Sequence, residues 1–530
     1  MRSAVSVCNR RNVLCVFPAY APAFGTFSHA FPLLYRISAF MPPQGLLLVA
    51  AYLPATWTVR FIDENIAPAT AADFAWADVV FTSGMHVQAG CIRHVHARAR
   101  EAGKAVVLGG PSVSAAPDLY PEIDYLHVGE LGDATDLLVS LIDRSVAPPP
   151  RQVVVETKQR LPVCDFPVPA YEKAQLGRYM IGSLQFSSGC PYQCEFCDIP
   201  ALYGRQPRLK TPEQITAELD ALLRQPARPH LIYFVDDNFI AHKKAAREIL
   251  PHLIAWQKRN GYPFDFACEA TLNIAKQRDI LGMMREALFV TIFVGIETPE
   301  MNALTSLQKQ HNASVPMLDA IRTINSYGME VTAGIILGLD TDTEMSEVRL
   351  MEFIEASQIP ILTINLLQAL PRTPLWDRLA RANRIVDDPA LESNVVFLRP
   401  YADVMASWRR CIAYAYTPDR LFARYKHQVE HTYVNRMSPP RPQQASLANL
   451  RTGLVLAWRL LTRVGVRTDY GGAFRDAALH ALKRGQVDAA MGMGVVGYHL
   501  IQFSREALRA EQNASFYSPH ARADRARVGA

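Results

Sequence analysis

Short apolar runs recur along the first 147 residues, and each is followed by a turn or an amphipathic stretch. The predicted strands are 13–17, 59–63, 79–83, 105–109 and 125–128, and an apolar helix is predicted over 45–53. A strand followed by a helix is the repeating unit of a parallel sheet that is covered by helices on both faces. This pattern predicts a doubly wound, Rossmann-like α/β domain over residues 1–147.

A second alternation begins at Ser183, after a proline-rich stretch, 148–182, that we interpret as a linker. Its predicted strands are 184–187, 231–235, 264–269, 290–295, 331–336 and 362–366, with helical stretches between them. Six such units make up about three-quarters of an eight-unit TIM barrel. We therefore predict a partial (β/α)6 TIM-type barrel over residues 183–399.

The rest of the chain is predicted to be a helical domain, 400–515, followed by a disordered tail, 516–530. The longest apolar run, 489–503, is shorter than the ~18 residues that a membrane-spanning helix needs. We interpret the apolar C-terminal helices as an ordinary helical core. The alternative is peripheral contact with a membrane through Trp458, Leu460 and Leu461.

Composition and charge narrow the classes of function. The 530 residues carry a net charge of +5, and the basic residues are dispersed, which argues against nucleic-acid binding. The start of the chain shows no secretory signal, so we expect a cytoplasmic protein that is at most peripheral to the inner membrane. Clustered cysteines in that reducing compartment usually bind metal.

Three of the nine cysteines, Cys190, Cys194 and Cys197, lie within eight residues. Three thiolates can hold a [4Fe–4S] cluster and leave its fourth iron open for a small ligand. The C-x3-C-x2-C spacing resembles the signature of radical S-adenosylmethionine (SAM) enzymes, in which the open iron binds SAM. The alternative is a structural zinc site, which requires four ligands, and Cys268 on a distant predicted strand is the candidate for the fourth.

Acidic residues and glycines follow the predicted barrel strands, at the face where TIM-type barrels carry their chemistry. The resemblance implies that acidic groups here bind the amino and ribose groups of SAM, and that glycines let its adenine approach the backbone. The residues concerned are Asp236, Glu269, Glu297, Gly334 and Gly338. For each of them a strand-end cap or turn is the alternative role.

Small residues follow two strands of the N-terminal domain, at Ser83 and at Gly109-Gly110. A doubly wound domain ahead of a radical SAM barrel resembles a cobalamin-binding domain. The resemblance implies that these three residues line the pocket for the nucleotide tail of cobalamin. Because the segment after the first strand lacks the D-x-H-x-x-G motif, we expect cobalt to have no histidine ligand and His86 to be a polar loop residue.

Segments along the whole chain resemble the cobalamin-dependent radical SAM methylases, and in particular those that act on hopanoids. These segments are 40–46, 61–65, 128–130, 186–200 and 370–376. The resemblance implies a [4Fe–4S] cluster, SAM, cobalamin, an unidentified electron donor and methylation of an unactivated carbon, C-2 of a hopanoid. A tetrapyrrole methylase of the bacteriochlorophyll type or an anaerobic cyclase is the alternative. A cobalamin- or metal-sensing regulator is a third hypothesis, against which the barrel pattern argues.

Overall fold

The N-terminal part of the chain forms a six-stranded parallel sheet in the computed structural model, which describes residues 9–309, 312, 316–388, 390–441 and 446–509. Its strands are β1 Asn12–Phe17, β2 Thr58–Asp63, β3 Val79–Ser83, β4 Ala105–Gly109, β5 Tyr125–Val128 and β6 Val153–Glu156, in the order β2-β1-β3-β4-β5-β6. Its helices are α1 Gln44–Tyr52, α2 Ala71–Trp76, α3 Ala89–Glu101, α4 Pro111–Ala115 and α5 Asp133–Arg144. Alternate residues of β1 enter two separate apolar clusters. Both faces of the sheet are therefore covered, which confirms the doubly wound fold.

The sixth strand comes from the segment that was expected to be a linker. β6 pairs in parallel with β5, from Tyr125 opposite Val153 to Val128 opposite Glu156. Val155 is its one buried residue, because β6 is a short strand at the edge of the sheet. The apolar pattern of such a short run is too weak for a strand to be predicted from the sequence. The expectation of a linker from residue 148 is corrected accordingly, and the first sheet extends to Glu156.

The second part of the chain is a parallel sheet of six strands with the order β14-β13-β12-β11-β10-β7. Its strands are β7 Gly182–Leu184, β10 Leu231–Phe234, β11 Asp265–Glu269, β12 Phe289–Glu297, β13 Glu330–Leu337 and β14 Leu362–Leu366. The helices are α6 Ile199–Leu202, α7 Pro212–Leu223, α8 Lys243–Arg259, α9 Arg278–Glu286, α10 Met301–Ser306, α11 Met317–Asn325, α12 Glu344–Ser357 and α13 Pro374–Arg381. The predicted six β–α units are confirmed. The first strand ends earlier than predicted, because Ser187–Ser188 form a separate strand, β8, that pairs antiparallel with β9, Arg208–Leu209.

The C-terminal part is helical, as predicted. Its elements are α14 Tyr401–Ala415, α15 Pro418–His431, α16 Leu447–Arg459, a π-helical segment Leu460–Val466, α17 Gly471–Leu482 and α18 Val487–Leu508. Helix α18 packs against the loop after β1: the rings of Phe24 and Phe503 are 4.5 Å apart, and His29 pairs with Glu506 at 2.9 Å. None of the described helices is long and apolar enough to cross a membrane. The tail predicted over 516–530 lies outside the described residues.

A buried carboxylate joins the first sheet to the segment that leads into the second. Asp63, the last residue of β2, accepts hydrogen bonds from the Tyr179 hydroxyl at 2.8 Å and from the Asn65 side chain at 2.7 Å. Burial raises the pKa of Asp63 from 3.8 to about 6, against the opposing effect of these hydrogen bonds. The folded protein therefore holds this proton at a pH where the unfolded chain has released it.

Replacing Asp63 with asparagine is expected to flatten the pH dependence of stability. Since the folded-state pKa is raised, the stability contribution of Asp63 falls by on the order of 3 kcal/mol as the pH rises from about 4 to about 6. Thermal unfolding of wild type and Asp63→Asn across this range measures the difference. The exposed Asp403 on α14 provides the control Asp403→Asn, which should keep the wild-type slope. Equal slopes for Asp63→Asn and wild type would contradict the assignment.

Candidate functional site

The three cysteines of the motif lie on the loop between β8 and β9, which the pairing of these strands closes at its base. All three are partly buried free thiols. Burial raises the pKa of Cys190 to about 11 and also raises the pKa values of Cys194 and Cys197. Thiolates at these positions therefore need a nearby positive charge, which a metal centre supplies.

The cysteine loop supplies three free thiols, one fewer than the ligands of a closed zinc site. Among the residues that the structure describes, no three His, Cys, Asp or Glu side chains converge as the ligands of one ion would. A four-iron cluster needs a wider arrangement, because each cysteine binds a different iron. A half-buried loop with three free thiols therefore fits an iron–sulfur cluster better than a closed four-ligand zinc site.

Two carboxylates at the end of β10 hold the backbone where this loop begins. Asp236 accepts hydrogen bonds from the backbone N–H of Phe186, at 3.1 Å, and from that of Ser187. Asp237 accepts one from the N–H of Gly189 at 2.8 Å. Both oxygens of Asp236, a residue expected to contact SAM, are engaged by these donors, so its role in the structure is to position the cysteine loop.

A long-range ion pair holds the middle of the loop. Glu195, between the second and third cysteines, pairs with Arg378 of α13 through two contacts, Nε–Oε1 at 2.5 Å and Nη2–Oε2 at 3.1 Å. Its carbonyl also accepts a hydrogen bond from the N–H of Leu375 at 2.9 Å. Sequence reasoning missed this pair, because its partners are 183 residues apart and Arg378 belongs to no recognised motif.

A buried lysine lies beside the cysteine loop. Lys309 is ion-paired with Glu297, and its ammonium nitrogen is 5.4 Å from the centre of the Phe196 ring. Burial alone would lower the pKa of Lys309, but Glu297 and the nearby Cys194 hold it above its usual value. Glu297, which was expected to bind SAM, is thus engaged by a lysine that carried no signal in the sequence.

Replacing Lys309 with methionine is expected to lower the free energy of unfolding by about 3–5 kcal/mol, because it leaves Glu297 buried without its partner. The double variant Lys309→Met/Glu297→Gln should recover most of that loss. The measurement is unfolding in urea. Arg322, in an exposed pair with Asp319, provides the control Arg322→Met, which should cost less than about 1 kcal/mol. An equally small loss for Lys309→Met would contradict the prediction.

The remaining acidic residues at the barrel face favour a cationic ligand. Glu269 ends β11, and the Tyr233 hydroxyl donates to it at 3.4 Å. Burial raises the pKa of Glu269 to about 7, and the neighbouring Asp237 contributes to that rise. The pKa of Asp237 is likewise raised by burial to about 7. A bound cation would stabilise both carboxylates, and SAM carries a sulfonium and an amino group, so the residues present fit SAM.

Protein packing accounts for the two barrel glycines that were expected to contact SAM. Gly338 has φ of +89°, and a Cβ at this position would lie 2.5 Å from the Phe397 ring. A Cβ at Gly334 would lie 3.3 Å from the ring of Phe293. The fold itself therefore requires glycine at position 338, whether or not SAM contacts this residue.

The three small residues of the N-terminal domain lie side by side at the ends of β3 and β4. Ser83 and Gly109 are paired in the register of β3 and β4. Gly110 has φ of +95°, and a Cβ there would clash with Ser83 Oγ, whereas the nearest atom to a Cβ at Gly109 is 3.9 Å away, on His127. The fold requires glycine at 110 but leaves space beside Gly109, as the close approach of a cofactor would need.

His86 is more deeply placed than a polar loop residue would be. Its Nδ1 lies 3.2 Å from Ser112 Oγ, while its buried Nε2 has no hydrogen-bond partner among the described residues. Burial lowers the pKa of His86 to about 4, so the ring is neutral. His86 lines a cavity of about 490 Å³.

The loops of the two domains meet at this cavity. Helix α4, which directly follows Gly110, packs against α6, which begins two residues after Cys197. Glu130, after β5, accepts a hydrogen bond from Ser188 at 2.9 Å and pairs with Arg208, so it joins the N-terminal domain to the base of the cysteine loop. The cavity is bounded on the N-terminal side by 115–119 and on the barrel side by 368–372, 385–388, 391, 393 and 394.

Comparisons with family models divide the chain in the same way. Residues 33–139 match the B12 binding domain, and residues 184–354 match the radical SAM superfamily. Residues 373–513 match a domain of unknown function, DUF4070.

Comparisons with individual proteins extend over nearly the whole chain. It is 57% identical over 508 residues, 96% of each chain, to the hopanoid C-2 methylase of Rhodopseudomonas palustris.

Two solved structures share the fold. The cobalamin-dependent S-adenosylmethionine radical enzyme OxsB, with aqua-cobalamin and SAM bound, has a TM-score of 0.59 and 13% identity and covers 95% of this chain and 81% of its own. The radical SAM methyltransferase TsrM of Kitasatospora setae, with cobalamin and a [4Fe-4S] cluster bound, has a TM-score of 0.56 and 16% identity and covers 94% of this chain and 100% of its own. The match to both domain models, together with the identity to a methylase along the full chain, shows that this protein belongs to the cobalamin-dependent radical SAM methylases.

Proposed function

We propose that this enzyme methylates C-2 of a hopanoid. The observation that carries the reaction class is the meeting of the two loop sets at one interface, with α4 against α6 and Glu130 bonded to Ser188. The substrate is supported by the 57% identity to a hopanoid C-2 methylase. An unactivated carbon cannot be methylated by simple attack on SAM, so an enzyme that acts on such a carbon needs both cofactor sites close together.

Three groups of residues would hold the cofactors. Cys190, Cys194 and Cys197 would bind the [4Fe–4S] cluster, and Glu269 with Asp237 would face the cationic groups of SAM. Ser83 and Gly109 would border the nucleotide tail of cobalamin. The bound cofactors would supply the radical and the methyl group, while the protein supplies binding and orientation.

The chain's own residues would keep these groups in fixed relative positions. Asp236 and the Glu195–Arg378 pair hold the cysteine loop against the barrel. Glu130 holds that loop against the N-terminal domain. Because positioning by rigid contacts contributes strongly to rate enhancement, we expect these ion pairs to matter for catalysis although they touch no reacting atom.

The cavity between the domains suits a large apolar molecule. Its volume of about 490 Å³ is within the range of about 300–1,000 Å³ for ligand pockets. Leucine, isoleucine, valine, proline and alanine side chains supply much of its lining. An apolar substrate needs such a lining more than it needs a clamp of paired arginines, which recognises carboxylates and phosphates.

Expression in a host that makes unmethylated hopanoids and supplies cobalamin tests the function. Mass spectrometry of the lipids should show hopanoids with one added methyl group, located on ring A at C-2. The Cys194→Ala variant serves as the negative control. Hopanoids that stay unmethylated while the purified enzyme cleaves SAM would refute the substrate and favour a tetrapyrrole methylase.

A further inference from the structure

Helix α16 has an apolar face that no described element covers. None of the described side chains of Leu447–Arg459 is buried. The helix has no extended packing partner among the described elements except the π-helical segment that continues it. A leucine-rich helix without a buried residue loses the burial that normally stabilises an amphipathic helix. We therefore expect this face to be buried against another molecule.

The exposed apolar side chains form one continuous stripe. Its members are Leu447, Leu450, Leu454, Trp458 and Leu461, with exposed fractions of 85, 60, 62, 66 and 47%. Their spacing of three or four residues places them on one side of the helix. Single exposed leucines are ordinary at a protein surface, but a contiguous patch of this kind marks an interaction site.

The other side of the helix is fixed to the body of the protein. Arg459 donates a hydrogen bond to the carbonyl of Leu34 at 3.0 Å, and Arg463 donates one to the carbonyl of Pro32 at 3.0 Å. These contacts tie α16 to the loop after β1, the same loop that packs against α18. The stripe is thus presented outward in a fixed orientation.

The charged residues within 447–467 have one sign. Residues 447–467 contain four arginines and no aspartate or glutamate. Arg451, Arg463 and Arg467 are exposed. Leucine and tryptophan on one face with arginine around it is the pattern of helices that lie in the plane of a membrane surface.

We propose that α16 is a membrane-surface anchor that inserts Leu450, Leu454 and Trp458 into an anionic phospholipid bilayer. The positive surroundings complement anionic headgroups. A symmetric dimer through the same stripe would instead bring two copies of this arginine-bearing segment together, with no acidic residue in 447–467 to offset their charge. The proposal deepens the hopanoid assignment. It rests on that assignment for the reason why an anchor is needed, because a hopanoid dissolves in a membrane.

Sedimentation with phospholipid vesicles tests the anchor without any substrate. The full-length protein should bind vesicles of equal parts phosphatidylglycerol and phosphatidylcholine, and should bind pure phosphatidylcholine vesicles weakly. Leu454→Glu and Trp458→Glu should each weaken binding roughly tenfold or more, because a charge replaces an apolar group in the interface. Leu137→Glu, a matched change at an exposed leucine of α5, should bind like wild type.

Several outcomes would overturn the proposal. Absence of vesicle binding by the wild type is one, and equal binding by the wild type and both α16 variants is another. A dimer in analytical ultracentrifugation that dissociates in Trp458→Glu would show that a second copy covers the stripe. Vesicle binding that appears only after removal of residues 510–530 would show that the chain covers its own stripe. Unchanged thermal unfolding and iron content in the variants would show that any loss of binding is not a loss of fold.

A second measurement separates this proposal from the proposed function. With hopanoid in detergent micelles, Leu454→Glu should turn over at the wild-type rate. With hopanoid in vesicles, it should be slower by roughly the loss in vesicle binding. If wild type binds vesicles but methylates no hopanoid in either form, the anchor stands and the substrate assignment fails. If the wild type and both α16 variants methylate hopanoid in vesicles equally well, the anchor fails and the substrate assignment stands.

Discussion

Alanine in place of Cys190, Cys194 or Cys197 is expected to abolish SAM cleavage completely. After anaerobic reconstitution the wild type should hold about four irons per chain with the visible absorption of a [4Fe–4S] cluster, and each variant should lose that absorption. The reason is that three thiolates share one cluster, so the loss of one removes a ligand that no other described residue of the loop replaces.

The control for this experiment is Cys164→Ala, at an exposed cysteine outside the loop. It should keep the iron content and SAM cleavage of the wild type. The three loop variants should also retain wild-type thermal unfolding when compared without iron, because Asp236 and Glu195 hold the loop independently of the sulfurs. Tightly bound zinc in the wild type, without iron-dependent absorption, would refute the cluster.

Leucine in place of Gly109 is expected to prevent cobalamin binding while the cluster and the fold stay intact. A Cβ at this position has its nearest neighbour 3.9 Å away, on His127, so the protein itself leaves room for a side chain to start here. If the nucleotide tail of cobalamin runs along this backbone, the leucine side chain occupies its space. Cobalamin content after reconstitution and extraction measures the effect, and iron content reports on the barrel.

Gly110 provides the contrasting variant. Its φ is +95°, and a Cβ at this position would clash with Ser83 Oγ, so Gly110→Ala should lower stability even without cobalamin. The pair of variants thus separates a glycine that the fold needs from one that the cofactor needs. Stoichiometric cobalamin retained by Gly109→Leu would place the nucleotide tail elsewhere.

The sequence predicted the features that depend on local pattern. Strands β3, β4, β5 and β14 were predicted to the residue, because buried parallel strands are short apolar runs with clear turn signals on either side. The cysteine motif was equally clear, since its three ligands occur within one loop. Loops at the ends of adjacent parallel strands necessarily meet, which is why Ser83 and the glycine pair could be assigned to one site.

The features that the sequence did not reveal depend on contacts between distant parts of the chain. Glu195 and Arg378 are 183 residues apart, and Lys309 follows a helix without any motif. Glu130 was noticed as part of a resemblance, but its bond to Ser188 across the domain interface could not be read from either segment alone. Asp236 was identified as a strand-end acid, whereas its partners are backbone groups that only the folded loop brings near.

The packing of α18 on the loop after β1 links part of the fold to the late synthesis of that helix. His499 of α18 lies 3.2 Å from the carbonyl of Ala23, 476 residues earlier in the chain. During translation the N-terminal sheet can form early, but the loop after β1 lacks its contact with α18 until that helix has left the ribosome. The contact between α18 and this loop is therefore made after both cofactor-binding domains have been synthesised. A prematurely terminated chain would carry both cofactor-binding domains and still leave its first loop without the helix against which it packs.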